Sequence, residues 1–523
     1  MKTKLILIFI IVLAFFLRFY KLDSNPPGLY WDEAVLGYDA YSILKTGRDH
    51  HGTILPLFFE SFGDWKLPVY HYLLVPSIAV FGLNEFAVRF PSAFFGSLTI
   101  FIFFLLINKL TKNQFLSLTC AFLLAISPWH TQFSRGGFES NPGLFFLILG
   151  VYLFIIGLGK MRILLFSFSF LFFIFSMYSY HAYRIFTPLI MASLIIIYYV
   201  EIKKNLIKVA LTAFIAFILC LPLTIFTISN NGKARAISQT IFDKQAYEKK
   251  RIEYDLSSKR PLRFLSKYWS KSIYYTYLTT NVYLDHFSPV FLFFKGDQIG
   301  RHSLVETGQI FGFEIILLSA SLLAFKTLNY KLKFIMLAWL LLSPIPASIV
   351  TPTPHANRTL QMSLPLAFFS ASGLYYLFTQ RFILLKIGLI FIISYSLLTY
   401  WHLRFVHYPR VFAADWQDGY RQMVKSIKQY DHQYNKIFIT DLNQAPYIYL
   451  LFYEKYDPNR YLLEGGSQNS FGKYFFVSRD TNVYNNGRIL YVAPFWEQVK
   501  GYLITEINDT NGKHIYSLWG INE

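Results

Sequence analysis

Apolar runs such as 5–17, 100–107 and 166–175 recur through the first four hundred residues, separated by short polar segments. In hydrocarbon every backbone N–H and C=O must find a partner within its own segment, so runs of this kind are expected to fold as membrane helices. Only 15% of the residues are charged, against about 25% in a soluble chain. The formal charge of +19 does not indicate nucleic acid binding. Many of the basic residues flank apolar runs, where orientation signals belong. Cys120 and Cys220 lie in or beside apolar runs, without metal spacing or a disulfide framework. The opening Met1-Lys2-Thr3-Lys4 and the run behind it resemble a signal peptide. No small-x-small cleavage site follows, and the run continues into Arg18, Tyr20 and Lys21, so an uncleaved first span is expected.

Spans are expected at 4–20, 88–107, 114–127, 143–158, 162–179, 185–200, 206–228, 310–325, 333–350, 360–378 and 382–400, about eleven in all. Several are short for the hydrocarbon core, which implies tilted packing. The run 69–81 is shorter still and broken by Pro76. It suits an interfacial or re-entrant helix, with a twelfth span as the alternative. With Lys2 and Lys4 inside, the inside connections become 108–113, 159–161, 201–205, 326–332 and 379–381. These contain or adjoin Lys109, Lys112, Lys160, Lys203, Lys204, Lys326, Lys331 and Arg381, with Glu201 as the acidic exception. That asymmetry follows the positive-inside rule. The segments 21–87, 127–142, 180–184, 229–309 and 351–358 then lie outside, as does the tail 401–523. The tail has ordinary charge, Asn and Gly. It predicts a helix over 416–429, a strand over 436–440, a helix over 445–454 and shorter strands near 475 and 490–492. The expected fold is thus a helical polytopic membrane domain (1–400) with interfacial helices, followed by a small α/β domain (401–523).

The outside segments hold the chemistry. Asp32-Glu33 follows the Pro26-Pro27-Gly28 turn and opens a helix near the membrane surface. Carboxylates there suit the helix dipole. In a partly desolvated site they also suit a general base. Lys66, in Asp64-Trp65-Lys66-Leu67-Pro68, could snorkel or neutralise a phosphate. Arg89 reads as an interface anchor or as a ligand for a lipid phosphate. His130, Arg135, Glu139, Tyr180, His181, Arg184, Lys295, Asp297, Arg301, His302, His355 and Arg358 add histidines and cations to the same face, with aromatic residues between them. Together they suit an anionic ligand with an apolar tail and a ring to stack. No His-x-x-x-His pair or His/Cys spacing marks a metal site, and a divalent ion near Asp32 or Asp64 is the metal reading that remains.

At these residues the chain resembles the GT-C membrane glycosyltransferases, nearest the protein O-mannosyltransferase and aminoarabinose transferase group of family 39 and its bacterial relatives. The resemblance rests on Trp31-Asp32-Glu33-Ala34, Asp64-x-Lys66-x-Pro68, Arg89-Phe90-Pro91-Ser92-Ala93, Ser134-Arg135 and His355-x-x-Arg358. Leu67 stands where relatives often carry a second proline. The resemblance implies transfer of a sugar from a polyprenyl phosphate to an acceptor hydroxyl on the outer face of the cell membrane, with inversion. It implies Asp32 as the base, with Glu33 beside it or orienting the acceptor. It implies Lys66, then Arg89, Arg301, His302 and Arg358, on the donor phosphate, and Asp64, His355 and Trp31 on sugar or acceptor. The implied partners are the lipid-linked sugar, membrane lipids and an acceptor protein, lipid or envelope glycan. A lipid or solute transporter is the rival from another class, but transporters place ionisable groups at mid-span. Here those groups gather at one surface. A membrane polysaccharide polymerase or ligase would share the donor class.

Overall fold

The computed structural model describes residues 2–159, 162–232, 240–257, 271–304, 306–441, 445–478 and 487–521. The expected inside connection 159–161, with Lys160, lies largely outside the described residues, as do parts of the expected outside segment 229–309. Each expected span falls on a helix: α1 (Lys2–Phe19), α4 (Glu85–Thr111), α5 (Gln114–Ile126), α7 (Ser140–Gly159), α8 (Ile163–Met177), α9 (Tyr183–Ile197) and α11 (Leu206–Ile228), then Glu314–Ala324, Tyr330–Leu342, Ser363–Thr379 and Ile383–His402. Further helices lie between them, among them α2 (Trp31–Thr46), α3 (Pro68–Phe81) and α6 (Pro128–Phe133), and α10 (Tyr199–Lys203) precedes α11. Among the described residues, four stretches are long and apolar enough to cross a membrane by length and composition: Glu85–Thr111, Ser140–Leu158, Leu206–Ile228 and Ile383–Val411. The span expected at 333–350 is helical only to Leu342. Pro344 and Pro346, which cannot donate to a helical ladder, turn the chain there. On the lysine-rich face, Glu201 pairs with Lys331.

The tail folds around a six-stranded sheet ordered β4-β5-β3-β6-β8-β7. Its strands are β3 (Lys436–Thr440), β4 (Ser470–Phe471), β5 (Tyr474–Val477), β6 (Ile489–Pro494), β7 (Tyr502–Asn508) and β8 (His514–Ile521). β3 pairs parallel with both β5 and β6, and the remaining pairs are antiparallel. The helix expected over 416–429 begins at Tyr420, because Gly419 ahead of it adopts φ 105°. No break occurs at 400: the last apolar helix runs through a π-type turn at Leu403–His407 into Tyr408–Val411.

The tail sheet also shares its core with the site-bearing elements. Ala34, Val35, Leu36 and Tyr38 of α2 and Tyr70 and Leu74 of α3 are buried in one cluster with Ile448, Leu451, Phe452, Leu490 and Leu518. The approach is close enough that a Cβ on Gly37 would lie 2.6 Å from the Phe452 ring. The Tyr38 hydroxyl donates to the Tyr456 carbonyl at 3.0 Å. Trp31 N–H and the Tyr449 hydroxyl both donate to Gln417 Oε1, at 2.8 and 2.7 Å.

A buried polar knot fixes α2 against α3. Asp39 Oδ1 accepts from His50 N–H at 3.1 Å and contacts His50 Nδ1 at 2.5 Å, and Oδ2 lies 3.6 Å from His71 Nε2. Burial opposes charge on both partners, but their mutual attraction outweighs it, so Asp39 is held below its ordinary pKa and His50 above. The Asp39 contribution is present above the unfolded carboxyl value and is lost as pH falls through the depressed folded value. The His50 contribution is present below the unfolded imidazole value and is lost as pH rises through the raised folded value. Stability from this knot is therefore greatest between about pH 4 and about pH 6.5. Thermal unfolding of the solubilised protein should show stability falling as pH rises above that window, with the slope flattened in Asp39→Asn. An unchanged slope in the variant would remove the knot as its source.

Candidate functional site

α2 begins where Asn25-Pro26-Pro27-Gly28 breaks the preceding chain. Tyr30 N–H donates to Glu33 Oε2 at 3.1 Å, closing the first turn, and Asp32 and Glu33 place negative charge at the helix N-terminus. Behind α2 stands a short antiparallel hairpin, β1 (Phe59–Ser61) and β2 (Asp64–Lys66). Its two turn residues, Phe62 and Gly63, both have positive φ, 51° and 74°. Two-residue hairpin turns of this kind match the strand twist and suit glycine. The unusual Phe62 conformation is held by stacking on Trp31, with ring centroids 5.1 Å apart. The hairpin thereby delivers Lys66 to α2: Lys66 Nζ lies 3.0 Å from Asp32 Oδ1, the lysine nearly buried and the carboxylate a third exposed (7% and 34%).

The pair opens into a cavity of about 330 Å³. Of the residues expected from sequence, Trp31, Asp32, Glu33, Asp64, Lys66, Arg301, His302, His355 and Arg358 all line it. Segments hundreds of residues apart converge there. Arg301 stacks over the Tyr30 ring at 3.6 Å and donates to the Asp415 carbonyl at 2.8 Å. Burial, then the charge of Asp32, pushes the Tyr30 hydroxyl up to about 12, so it remains a donor at neutral pH. His302 is held by Asp297, which the sequence places on the same face without a role: its Nδ1 lies 2.9 Å from Asp297 Oδ2. Asp297 also accepts from Ile299 N–H at 2.9 Å and Ala356 N–H at 2.7 Å. Burial opposes the Asp297 charge, but His302 and these two N–H groups outweigh it and hold the carboxyl below its ordinary value. With Nδ1 engaged by Asp297, Nε2 is the His302 ring nitrogen left for other contacts.

Arg89 stands apart from the cavity lining. Its guanidinium is fully buried, donating through Nε to Glu33 Oε1 at 3.0 Å and through Nη2 to Glu33 Oε2 at 3.1 Å. It also donates to the carbonyls of Leu22, Pro26 and Gly28. Arg89, expected on the donor phosphate, is thus placed as a strut of the 22–28 loop and not in the cavity lining. Glu33 lines the cavity, but its carboxylate is bound by Arg89, Tyr30 N–H and, at 2.7 Å, Gly137 N–H. Both Glu33 oxygens are thus taken up by these donors, next to Asp32 in the chain. Arg135 is likewise structural. It donates to the carbonyls of Leu17, Arg18, Tyr20, Lys21 and Asn25, satisfying groups at and beyond the end of α1.

A divalent ion near Asp32 meets a different arrangement, since Lys66 already supplies the positive charge there. Among the described residues, the group whose ligand atoms could converge on a metal is Asp297, His302 and His355, within 4.8 Å of one another. Both Asp297 oxygens are engaged by His302 and backbone N–H groups, which suits an orienting carboxylate.

Residues 8–176 match the family described as "Dolichyl-phosphate-mannose-protein mannosyltransferase". A protein of Aquifex aeolicus (strain VF5), described as uncharacterized, is 27% identical over 153 residues, and the match spans 29% of either chain. ArnT from Cupriavidus metallidurans, in the apo state, superimposes with a TM-score of 0.58 at 10% identity, covering 98% of this chain and 97% of that one. The same enzyme bound to undecaprenyl phosphate gives the same values. The chain thus has the GT-C fold over essentially its whole length.

Proposed function

We propose that this chain is an integral membrane glycosyltransferase that moves a sugar from a polyprenyl-phosphate donor to an acceptor hydroxyl on the outer face of the cell membrane. The observation that carries this reading is the Asp32–Lys66 contact, 3.0 Å, at one wall of a cavity whose other walls bring Arg301, His302 and Arg358. A base and a set of cations are what inverting transfer from a phosphate leaving group requires. A fold-mate bound to undecaprenyl phosphate supports the donor class. The lysine-rich connections on the opposite face support the sidedness.

In the mechanism, the donor phosphate draws Lys66 away from Asp32 and leaves the carboxylate available to the acceptor. Asp32 takes the acceptor proton as the acceptor oxygen attacks the anomeric carbon from the face opposite the phosphate. The carbon–oxygen bond to phosphate breaks, and polyprenyl phosphate departs with its charge met by Lys66 and the facing cations. Trp31, Asp64 and His355 contact sugar or acceptor. The acceptor is a protein hydroxyl, a glycolipid or an envelope glycan.

Lys66→Ala should raise KM for the donor by about 10- to 100-fold, the loss of a charge-assisted hydrogen bond of about 1.5–3 kcal/mol. An unchanged KM would confine Lys66 to its pairing with Asp32. The direct test of function uses purified protein in lipid with radiolabelled polyprenyl-phosphate sugars and a membrane extract. Label transfer by the wild type and not by Asp32→Asn is the expected result. Translocation of lipid or solute, with no transfer from any donor, would replace this reading with the transporter.

A further inference from the structure

α2, which carries Asp32, starts without a cap of its own. The side chain of Tyr30, just ahead of it, makes no capping hydrogen bond, so the first N–H groups of the helix must find acceptors elsewhere. The N–H of Trp31 finds one in the tail. It donates at 2.8 Å to Gln417 Oε1, 386 positions along the chain.

The residue that supplies this acceptor is held in an uncommon conformation. Gln417 has φ 51°, in the left-handed region that residues other than glycine rarely enter. Such residues persist where their surroundings over-determine them. Here the surroundings are the turns of 412–419, between the last apolar helix and the tail, where Gln417 N–H donates to the Ala414 carbonyl at 3.0 Å. Oε1 also accepts from the Tyr449 hydroxyl, on the tail helix Pro446–Tyr453, at 2.7 Å. Burial pushes that hydroxyl up, so it stays protonated and donates. The turns are seated directly on the loop that enters α2: a Cβ on Gly28 would lie 2.3 Å from the Trp416 carbonyl oxygen and 2.8 Å from Asp418 N.

From Trp31 the contact reaches both halves of the Asp32–Lys66 pair. Asp32 follows Trp31 in the first turn of α2. The Trp31 ring stacks on Phe62, in the turn of the hairpin that carries Lys66. Phe62 in turn meets Tyr447 edge-on, with centroids 6.2 Å apart. One tail helix therefore braces α2 through Tyr449, Gln417 and Trp31, and the hairpin through Tyr447 and Phe62. Gln417 itself does not line the cavity, whereas its partner Trp31 and its neighbour Trp416 do.

We infer that Gln417 is a positioning residue for sugar transfer: it caps α2 from the tail and sets where Asp32 stands against Lys66. The inference rests on the transferase reading of that pair. It gives the tail a part in the chemistry through the place of the base, without contact to donor or acceptor.

The test uses the full-length protein in lipid and three variants. Gln417→Met keeps the side-chain length and removes the acceptor. Its kcat should fall by about 10²-fold, the cost of misplacing a reacting group by about 1 Å, with far less change in donor KM. Gln417→Glu keeps an acceptor for both donors and should recover at least about tenfold of that loss. Tyr38→Phe removes another hydrogen bond between α2 and the tail, the one to the Tyr456 carbonyl, farther along the helix, and should turn over as wild type. A readout that needs no transfer runs beside these: acylation of Lys66 by a succinimidyl ester, followed by peptide mass spectrometry. Acylation should rise severalfold in Gln417→Met, where the pair is loosened, and not in Tyr38→Phe. If Gln417→Met does not fold, Gln417→Asn, whose amide falls a methylene short of Trp31, takes its place in both measurements. Wild-type kcat or unchanged Lys66 acylation in the Gln417 variant overturns the inference, as does an equal loss in Tyr38→Phe, which would mean that the tail merely docks. Absence of transfer by the wild type from any donor sinks the transferase reading instead, and the acylation still reports whether Gln417 sets the pair.

Discussion

Asp32→Asn should lower the rate of sugar transfer by about 10²- to 10⁴-fold, the usual contribution of a positioned general base. The amide has the shape of the carboxylate and keeps an oxygen for Lys66, but it cannot accept the acceptor proton. The fold should be unaffected. Asp32 is a third exposed, and ion pairs open to solvent contribute only about 0–1 kcal/mol. Most of its neighbourhood is fixed by other residues, with Glu33 held by Arg89 and Gly137 and Trp31 held by Gln417. The loss should fall on kcat, because proton acceptance belongs to the transition state and not to binding. The measurement is single-turnover transfer at saturating donor, with thermal unfolding of the same preparation. Wild-type turnover in the variant would move the base elsewhere in the cavity, with His302 the first candidate because Asp297 orients its ring.

The apolar helices were legible because hydrophobicity is a local signal: helices appear where the apolar runs lie. The cavity residues were legible for a related reason. Once alternation of the spans put them on one face, convergence of Asp32, Lys66, Arg301, His302, His355 and Arg358 needed only that the outside segments pack together. What sequence could not separate was a charged residue that faces the cavity from one that braces it. Arg89 and Arg135 carry the same side chain as Arg301, but their donors end on Glu33 and on backbone carbonyls. Nothing local to those residues encodes such partners. The Asp39–His50–His71 knot was hidden for the same reason, its members lying on α2, a loop and α3. The boundary at 400 marks a real change in composition but not in packing. Apolar residues of α2 and of the tail are each unremarkable in sequence, and only the fold joins them in one core.

Glu33→Gln should behave in the opposite way to its neighbour, losing the fold before the chemistry. The Glu33–Arg89 pair is buried at both ends, with the carboxylate 4% exposed and the guanidinium not at all. Removing one charge of such a pair strands the other in a low-dielectric interior, at a cost of about 3–5 kcal/mol. The penalty lands on the loop that sets the entrance of α2, since Arg89 also binds the carbonyls of Leu22, Pro26 and Gly28. Membrane proteins of this size commonly unfold irreversibly, so the readout is the half-life of folded protein at elevated temperature in detergent. Glu33→Gln and Arg89→Met should each shorten it sharply. The double variant Glu33→Met/Arg89→Met should be less damaged than the sum of the two, because no unpaired charge is left behind. The turnover of molecules that remain folded should stay within about tenfold of wild type, because Glu33 acts on Asp32 through position alone. If Glu33→Gln keeps its thermal half-life and still loses transfer as completely as Asp32→Asn, Glu33 handles the proton itself and the two adjacent carboxylates share the reaction.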